Sequence, residues 1–246
     1  MNSVKGERTL VGEEGKAGEN QAGVRDLVKY RGRKTSRRGS EQRRKTILEA
    51  ALRVAIREGV RGIRHRAVAK EADVPLSATT YYFKDINDLI SDTFALFVEQ
   101  TMAEVNRFWV EHSAQLEQLY NQLDDSVASH RIFVANITDI GQAFIRMQLS
   151  TQRERLLAEH ALHQEALRSS SLREMVLGYR QDLLVELVRF YQRLGTSEPE
   201  LDANLTNAVI MDCEYQCLLH GEAEQDRVPV RAILHRHFLQ TLGLAE

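Results

Sequence analysis

Between Arg64 and Lys84 the chain reads RHRAVAKEADVPLSATTYYFK. Guanidinium, imidazole, hydroxyl, phenol and ammonium groups alternate here with small residues. Groups of this kind bond to base edges and phosphates, so the chemistry on offer is nucleic-acid recognition rather than bond breaking. Arg66 suits a two-pronged contact to guanine, with Arg64 and His65 adding charge beside it. Ser77, Thr79, Thr80 and Tyr81 can touch base edges, thymine methyls or phosphates. Tyr82 and Lys84 suit phosphate clamps, which position without specifying. For Tyr81 and Tyr82 the plainer alternative is packing against the first helix.

These residues need elements to hold them. Val68, Ala69 and Ala72 form the apolar side of one short helix, and Asp73-Val74-Pro75 breaks it. Ser77 to Phe83 forms a second helix of a size that suits a DNA major groove. Upstream, Ile47, Leu48, Ala51, Leu52 and Ala55 make one helical stripe. Ser40 is a plausible N-cap for it, and Gly59 ends it. Arg43, Arg44 and Lys45 precede the stripe. Cations at a helix start oppose the helix dipole, which points to an anionic partner. Ala50, Leu52, Val68, Ala69, Ala72, Val74 and Phe83 read as core.

The pattern Ile47-Leu48-x-Ala50-Ala51, then Gly59, then Val68-Ala69-x-x-Ala72-x-Val74, then Tyr82-Phe83 and Leu89, resembles the DNA-binding domain of TetR-family transcriptional regulators. The match covers about 50 residues. The resemblance implies three N-terminal helices, the third reading the major groove, followed by a helical ligand-binding and dimerising body. Four positions depart from the family pattern. Arg64 stands where Thr usually caps the second helix, and Asp73 where the turn usually has Gly. Thr80 stands where the recognition helix commonly has Tyr, and Ile86 where Lys is frequent, so Lys84 takes over that phosphate contact. Asp73 must then accept a left-handed backbone, which Asp tolerates better than most residues. These departures bear on the operator sequence, not the fold.

Composition agrees. Across 246 residues there are only 3 prolines and 14 glycines, and no alternating strand patterns, so an all-α protein is expected. The net charge of −2 hides an asymmetry. Residues 25–90 hold 17 Lys/Arg against 8 Asp/Glu, whereas residues 91–246 hold 13 against 23. A basic head on an acidic body points to a polyanion partner for the head alone. Residues 1–39 read as a disordered basic arm that tracks phosphates or enters the minor groove, a solvated tail being the plainer alternative. Residues 40–88 are the helix-turn-helix domain, and residues 89–246 the ligand-binding and dimerisation body.

In the body a long helix is expected from Asn87 to about Ser113, capped by Asn87 or Asp85, with a shorter segment around Leu116, Leu119 and Leu123. Further helices are expected at about 129–149, 151–168, 172–194, 199–220 and 230–242. Phe133, Ile137, Phe144 and Met147 form a stripe that is either ordinary core or a pocket wall. As a wall they form, with Phe97 and Tyr179, a candidate small-molecule site, and Arg146 can meet an anionic head group. His160 and His163 lack the companions a metal site needs, so no metal or other cofactor is expected. Cys213, Cys217 and His220 share a helix face and are read as interface residues rather than a sensor. The last two helices suit a four-helix homodimer interface, as the resemblance also implies, an enclosed monomer core being the alternative.

The expectation is a cytoplasmic, sequence-specific DNA-binding regulator: a dimeric repressor released from a palindromic operator on double-stranded DNA by an unidentified small-molecule effector. No leader or membrane span is expected. Two readings compete with it. One is a sequence-independent chromosome-organising protein, supported by the basic arm. The other is an enzyme, for which no phosphate loop, nucleophile elbow or triad spacing is found.

Overall fold

The structure is a computed structural model that describes residues 30–33 and 38–244. Helices make up its regular structure, with no strand among the described residues. The head contains α1 (Arg38–Glu58), α2 (His65–Glu71) and α3 (Leu76–Tyr82), with a 3-10 turn at Val60–Gly62. The body contains α4 (Ile86–Asn121), α5 (Val127–Thr151), α6 (Arg153–Ala166), α7 (Ser170–Leu194), α8 (Pro199–His220) and α9 (Val230–Thr241).

Local chemistry sets most helix ends. The Asp85, Ser126 and Ser169 side chains each accept the backbone N–H three residues on, capping α4, α5 and α7. Gly195 closes α7 at φ 72°, and Pro199 opens α8. Two expectations are corrected. Ser40 is not a cap: α1 begins at Arg38, and the Ser40 hydroxyl bonds instead to the Tyr82 hydroxyl at 2.8 Å. The break expected after Ser113 is absent, and α4 runs on through Leu116 and Leu119, which are buried. Packing on the body overrides the weak apolar pattern between His112 and Gln115. At 36 residues α4 is ~54 Å long.

α1 packs on α2, α4 and α6, α4 packs on α7, and α7 packs on α8, while α9 packs on α5 and α8. One apolar core joins Ile47, Val54, Val68 and Phe83 of the head to Phe94 and Phe97 of α4, Leu162 of α6 and Tyr179 of α7. It runs across the expected boundary at 88/89. A second core fills the far end around Phe133, Ile145, Tyr191 and Leu234. Among the described residues no helix is long and apolar enough to cross a membrane.

Candidate DNA-binding head and ligand cavity

The head is held from within by its apolar side chains. Ile47, Ala50, Ala51, Val68 and Phe83 are essentially without exposure. The turn between α2 and α3 places Asp73 at φ 51°, the left-handed conformation its position requires. Arg64 occupies the N-cap of α2 and makes no side-chain cap bond, so departure from the usual capping residue leaves that end uncapped by a side chain.

Of the expected DNA-contacting residues, Arg43, Arg64, Arg66, Ser77, Thr80, Tyr81 and Lys84 are exposed, and His65 is half-buried. The Thr80 hydroxyl lies within hydrogen-bond distance of the Leu76 and Ser77 carbonyls, so its methyl is the freer group. Three residues face differently. Arg44 is buried, and its guanidinium donates to the Asp92 carboxylate at 2.5 Å and to Glu41 at 3.3 Å. Thr79 has no exposure: its hydroxyl donates to the Leu76 carbonyl and lies 3.3 Å from His65 Nδ1. Tyr82 keeps 5% exposure, its ring packed in the head and its hydroxyl engaged with Ser40. Arg44 and Thr79 therefore leave the reading set, and Tyr82 matches the packing alternative.

Sequence reasoning missed the segment before α1. Tyr30–Arg33 lies against the head, bonded to Asp92 and Glu99 of α4 and to the Tyr82 carbonyl. The one visible signal was Asp92 itself, a carboxylate inside the apolar opening of a long helix. The rest of the expected basic arm, residues 1–29 and 34–37, lies outside the described residues.

In the body, a cavity of about 110 Å³ opens between α4, α5, α7, α8 and α9. Phe108, Trp109, Ile140, Phe144, Leu187 and Ile210 give it an apolar wall, and Thr206 and Asn207 supply polar groups. Gly141 belongs to the wall because α9 comes close: a Cβ there would sit 3.3 Å from Leu234. Thr206 is already committed, its hydroxyl within 2.6 Å of the Tyr191 hydroxyl and 2.7 Å of His237 Nε2.

The expected ligand residues divide. Ile137 and Phe144 line this cavity. Phe133 lies behind it, stacked with the lining residue Phe190. Phe97 and Tyr179 are core, packed with Phe94 where head and body meet. Arg146 and Met147 line a separate, more polar groove near Cys217 and Gln225. Arg146 turns away because, two residues on from Phe144, it lies on nearly the opposite side of α5. Phe108, Trp109 and Asn207 were missed because their share of the wall comes from helices distant in sequence.

Neither candidate ligand cluster assembles a metal site: no group of three or more His, Cys, Asp or Glu could hold one among the described residues. Cys213 and Cys217 are buried thiols, and burial pushes Cys213 up to about 11, away from reactive thiolate. Burial also holds His163 down at about 4.

The two helices expected to pair in a dimer differ. α9 turns Val230, Leu234 and Phe238 inward. α8 keeps Leu201, Leu205, Tyr215 and Leu219 exposed, and α7 adds Leu177.

No protein-family model matches the chain, and no curated protein sequence matches it. Solved structures do. A TetR-family member from Streptomyces coelicolor is 26% identical over 79% of this chain and 97% of its own, with a TM-score of 0.51. The multidrug-binding protein EbrR, complexed with ethidium, is 25% identical over 79% of this chain and 97% of its own, with a TM-score of 0.53. A transcriptional regulator from Rhodococcus sp. Rha1 shares the fold at 18% identity, over 81% of this chain and 95% of its own, with a TM-score of 0.54. With its three-helix head on an all-helical body, aligned over most of its length with such a structure, the chain has the fold of TetR-family transcriptional regulators and is similar to them.

Proposed function

We propose that the protein is a dimeric repressor that binds a palindromic operator and is released by an apolar, aromatic small molecule. The exposed set Arg64, Arg66, Ser77, Thr80, Tyr81 and Lys84 on a tightly packed head carries the DNA half of the reading. Arg66 reads guanine and Lys84 anchors phosphate. Arg43 adds a phosphate contact from α1, and His65 supports the start of α2.

A second copy of the chain docks on the apolar row of α7 and α8, and the two-fold axis makes the operator palindromic. The effector enters the cavity framed by Phe108, Trp109, Ile137 and Phe144. EbrR binds ethidium, and a cavity walled by aromatic and aliphatic side chains suits the same planar chemistry. At about 110 Å³ the cavity must widen to take such a molecule, and α4 and α9 line two of its sides. Widening moves α4, which carries the head. The effector shifts the population only by its preference for the widened state.

The test is selection of duplexes from a random-sequence pool by the full chain, followed by titration of the bound duplex with ethidium, with ethidium binding to the DNA-free protein measured alongside to separate occupation of the cavity from intercalation into the duplex. An enriched inverted repeat, preferred ~10³-fold or more over random DNA at physiological salt and released by ethidium, supports the reading. Equal affinity for random DNA would establish the chromosome-organising alternative instead.

A further inference from the structure

Asp92 has no exposed surface and sits in a stretch of α4, residues 91–98, that is buried throughout. A carboxylate there is costly unless it is fully bonded. Arg44 of α1 supplies one partner, at 2.5 Å. The other two are backbone amides from outside the head's helices: Arg31 N–H at 2.6 Å and Gly32 N–H at 2.9 Å. Gly32 is the residue that permits this approach. A Cβ at that position would lie 2.8 Å from Asp92 Oδ2 and 2.9 Å from the Phe83 ring.

The same four residues are fastened at both ends. The Tyr30 ring lies 4.3 Å from the Arg44 guanidinium, and its hydroxyl donates to Glu99 at 2.6 Å. The Arg33 N–H donates to the Tyr82 carbonyl at 2.9 Å, satisfying an acceptor in the last turn of α3. The Arg33 guanidinium lies 4.4 Å over the Tyr81 ring, which is 51% exposed. A short piece of chain thus ties α1, α3 and α4 together and ends with a cation on the recognition helix.

We propose that Tyr30–Arg33 is a strap belonging to the DNA-reading head: latched on Asp92, it sets the recognition helix against α4 and presents the Arg33 guanidinium to a DNA phosphate beside Tyr81. The proposal rests on the DNA-regulator reading above. Stacking on Tyr81 and the fixed main chain hold the guanidinium in place before DNA arrives, so less freedom is lost on contact. Asp92 and Gly32 are positioning residues, whereas Arg33 makes the contact.

The experiment uses duplexes selected from a random pool by the unmodified full chain. Gly32→Ala is expected to lower the thermal unfolding midpoint of the free protein and, at a temperature where that protein is still fully folded, to weaken binding to the selected duplex by about tenfold or more. Arg33→Ala is expected to lower the slope of log affinity against log salt by about 0.9, the release of one counterion, and Arg33→Lys to restore it. Affinity unchanged in Gly32→Ala, measured on folded protein, overturns the positioning role. A salt slope unchanged in Arg33→Ala overturns the phosphate contact, and this variant carries the test alone if the alanine at 32 prevents folding. A pool from which the unmodified protein enriches no duplex overturns the DNA-regulator reading, and the strap's role with it.

Discussion

Arg66 and Lys84 are both exposed cations on the head, yet their chemistry separates them. A planar fork that fits a guanine edge discriminates between bases, and a flexible ammonium on a phosphate does not. Arg66→Ala should therefore lose ~1–3 kcal/mol and relax preference at one operator position, whereas Lys84→Ala should weaken all sequences alike. Binding profiles of both variants across the selected duplexes decide this, and an unchanged base preference in Arg66→Ala removes it from the reading set. Much of the head was legible because residue type and spacing were sufficient. Arg44 and Thr79 were misread for a physical reason. On a helix written as a string, an inward arginine and an outward one look the same, and the partner that turns Arg44 inward, Asp92, lies 48 residues away.

Between helices α6, α7 and α8 the body buries polar groups that neither the cavity nor the head uses. The Tyr179 hydroxyl donates to Glu159 at 3.2 Å, and Glu214 is buried with one carboxyl oxygen unpartnered. Burial pushes Glu159 from its ordinary 4.5 up to about 7, and raises Glu214 well above the carboxylate range. A carboxyl raised in the folded state favours folding when protonated. Its contribution is full below 4.5 and is lost as pH rises to about 7, a cost of roughly 3 kcal/mol for Glu159. His163, held down at about 4 by burial, acts in the opposite sense, losing stability as pH falls below its ordinary 6.5. Glu159→Gln should thus be stabilising at pH 8 by a kcal/mol or more and near neutral at pH 4.5. Urea unfolding at the two pH values would show it, and an equal effect at both would remove Glu159 as the cause. Nothing along the chain announced this cluster. Helix ends were legible, since Asp85, Gly195 and Pro199 act locally, but burial of a glutamate depends on which three helices converge.

At the scale of the molecule, the exposed apolar side chains of α7 and α8 are the surface proposed to receive a second copy. Specific interfaces bury about 800 Å² per partner, more than isolated exposed leucines require. Leu205→Arg, on the exposed side of α8, should convert the dimer to monomer and cost operator affinity far more than it costs folding. Sedimentation and operator binding measured on one preparation would test this, and a dimer that survives the arginine would move the interface elsewhere. Sequence pattern pointed to the last two helices, and the proposed surface shares α8 with that pair and replaces α9 by α7. The apolar stripe of α9 is as regular as that of a pairing helix, and only its docking on α5 shows that it is already spoken for.

The core that runs from Ile47 through Phe94 to Leu162 and Tyr179 bears on how such proteins can be recombined. A chimera joined at residue 88 would carry away the helix-turn-helix and leave behind Asp92, Glu99 and the α6 and α7 side chains against which that helix-turn-helix packs. The portable unit is larger than the helices that touch DNA. A graft that keeps its DNA specificity should begin before Tyr30, extend along α4 beyond Glu99, and bring matching surfaces from α6 and α7. On the reading proposed above, substituting exposed residues on α2 and α3 is expected to change DNA preference with less loss of folding than exchanging heads.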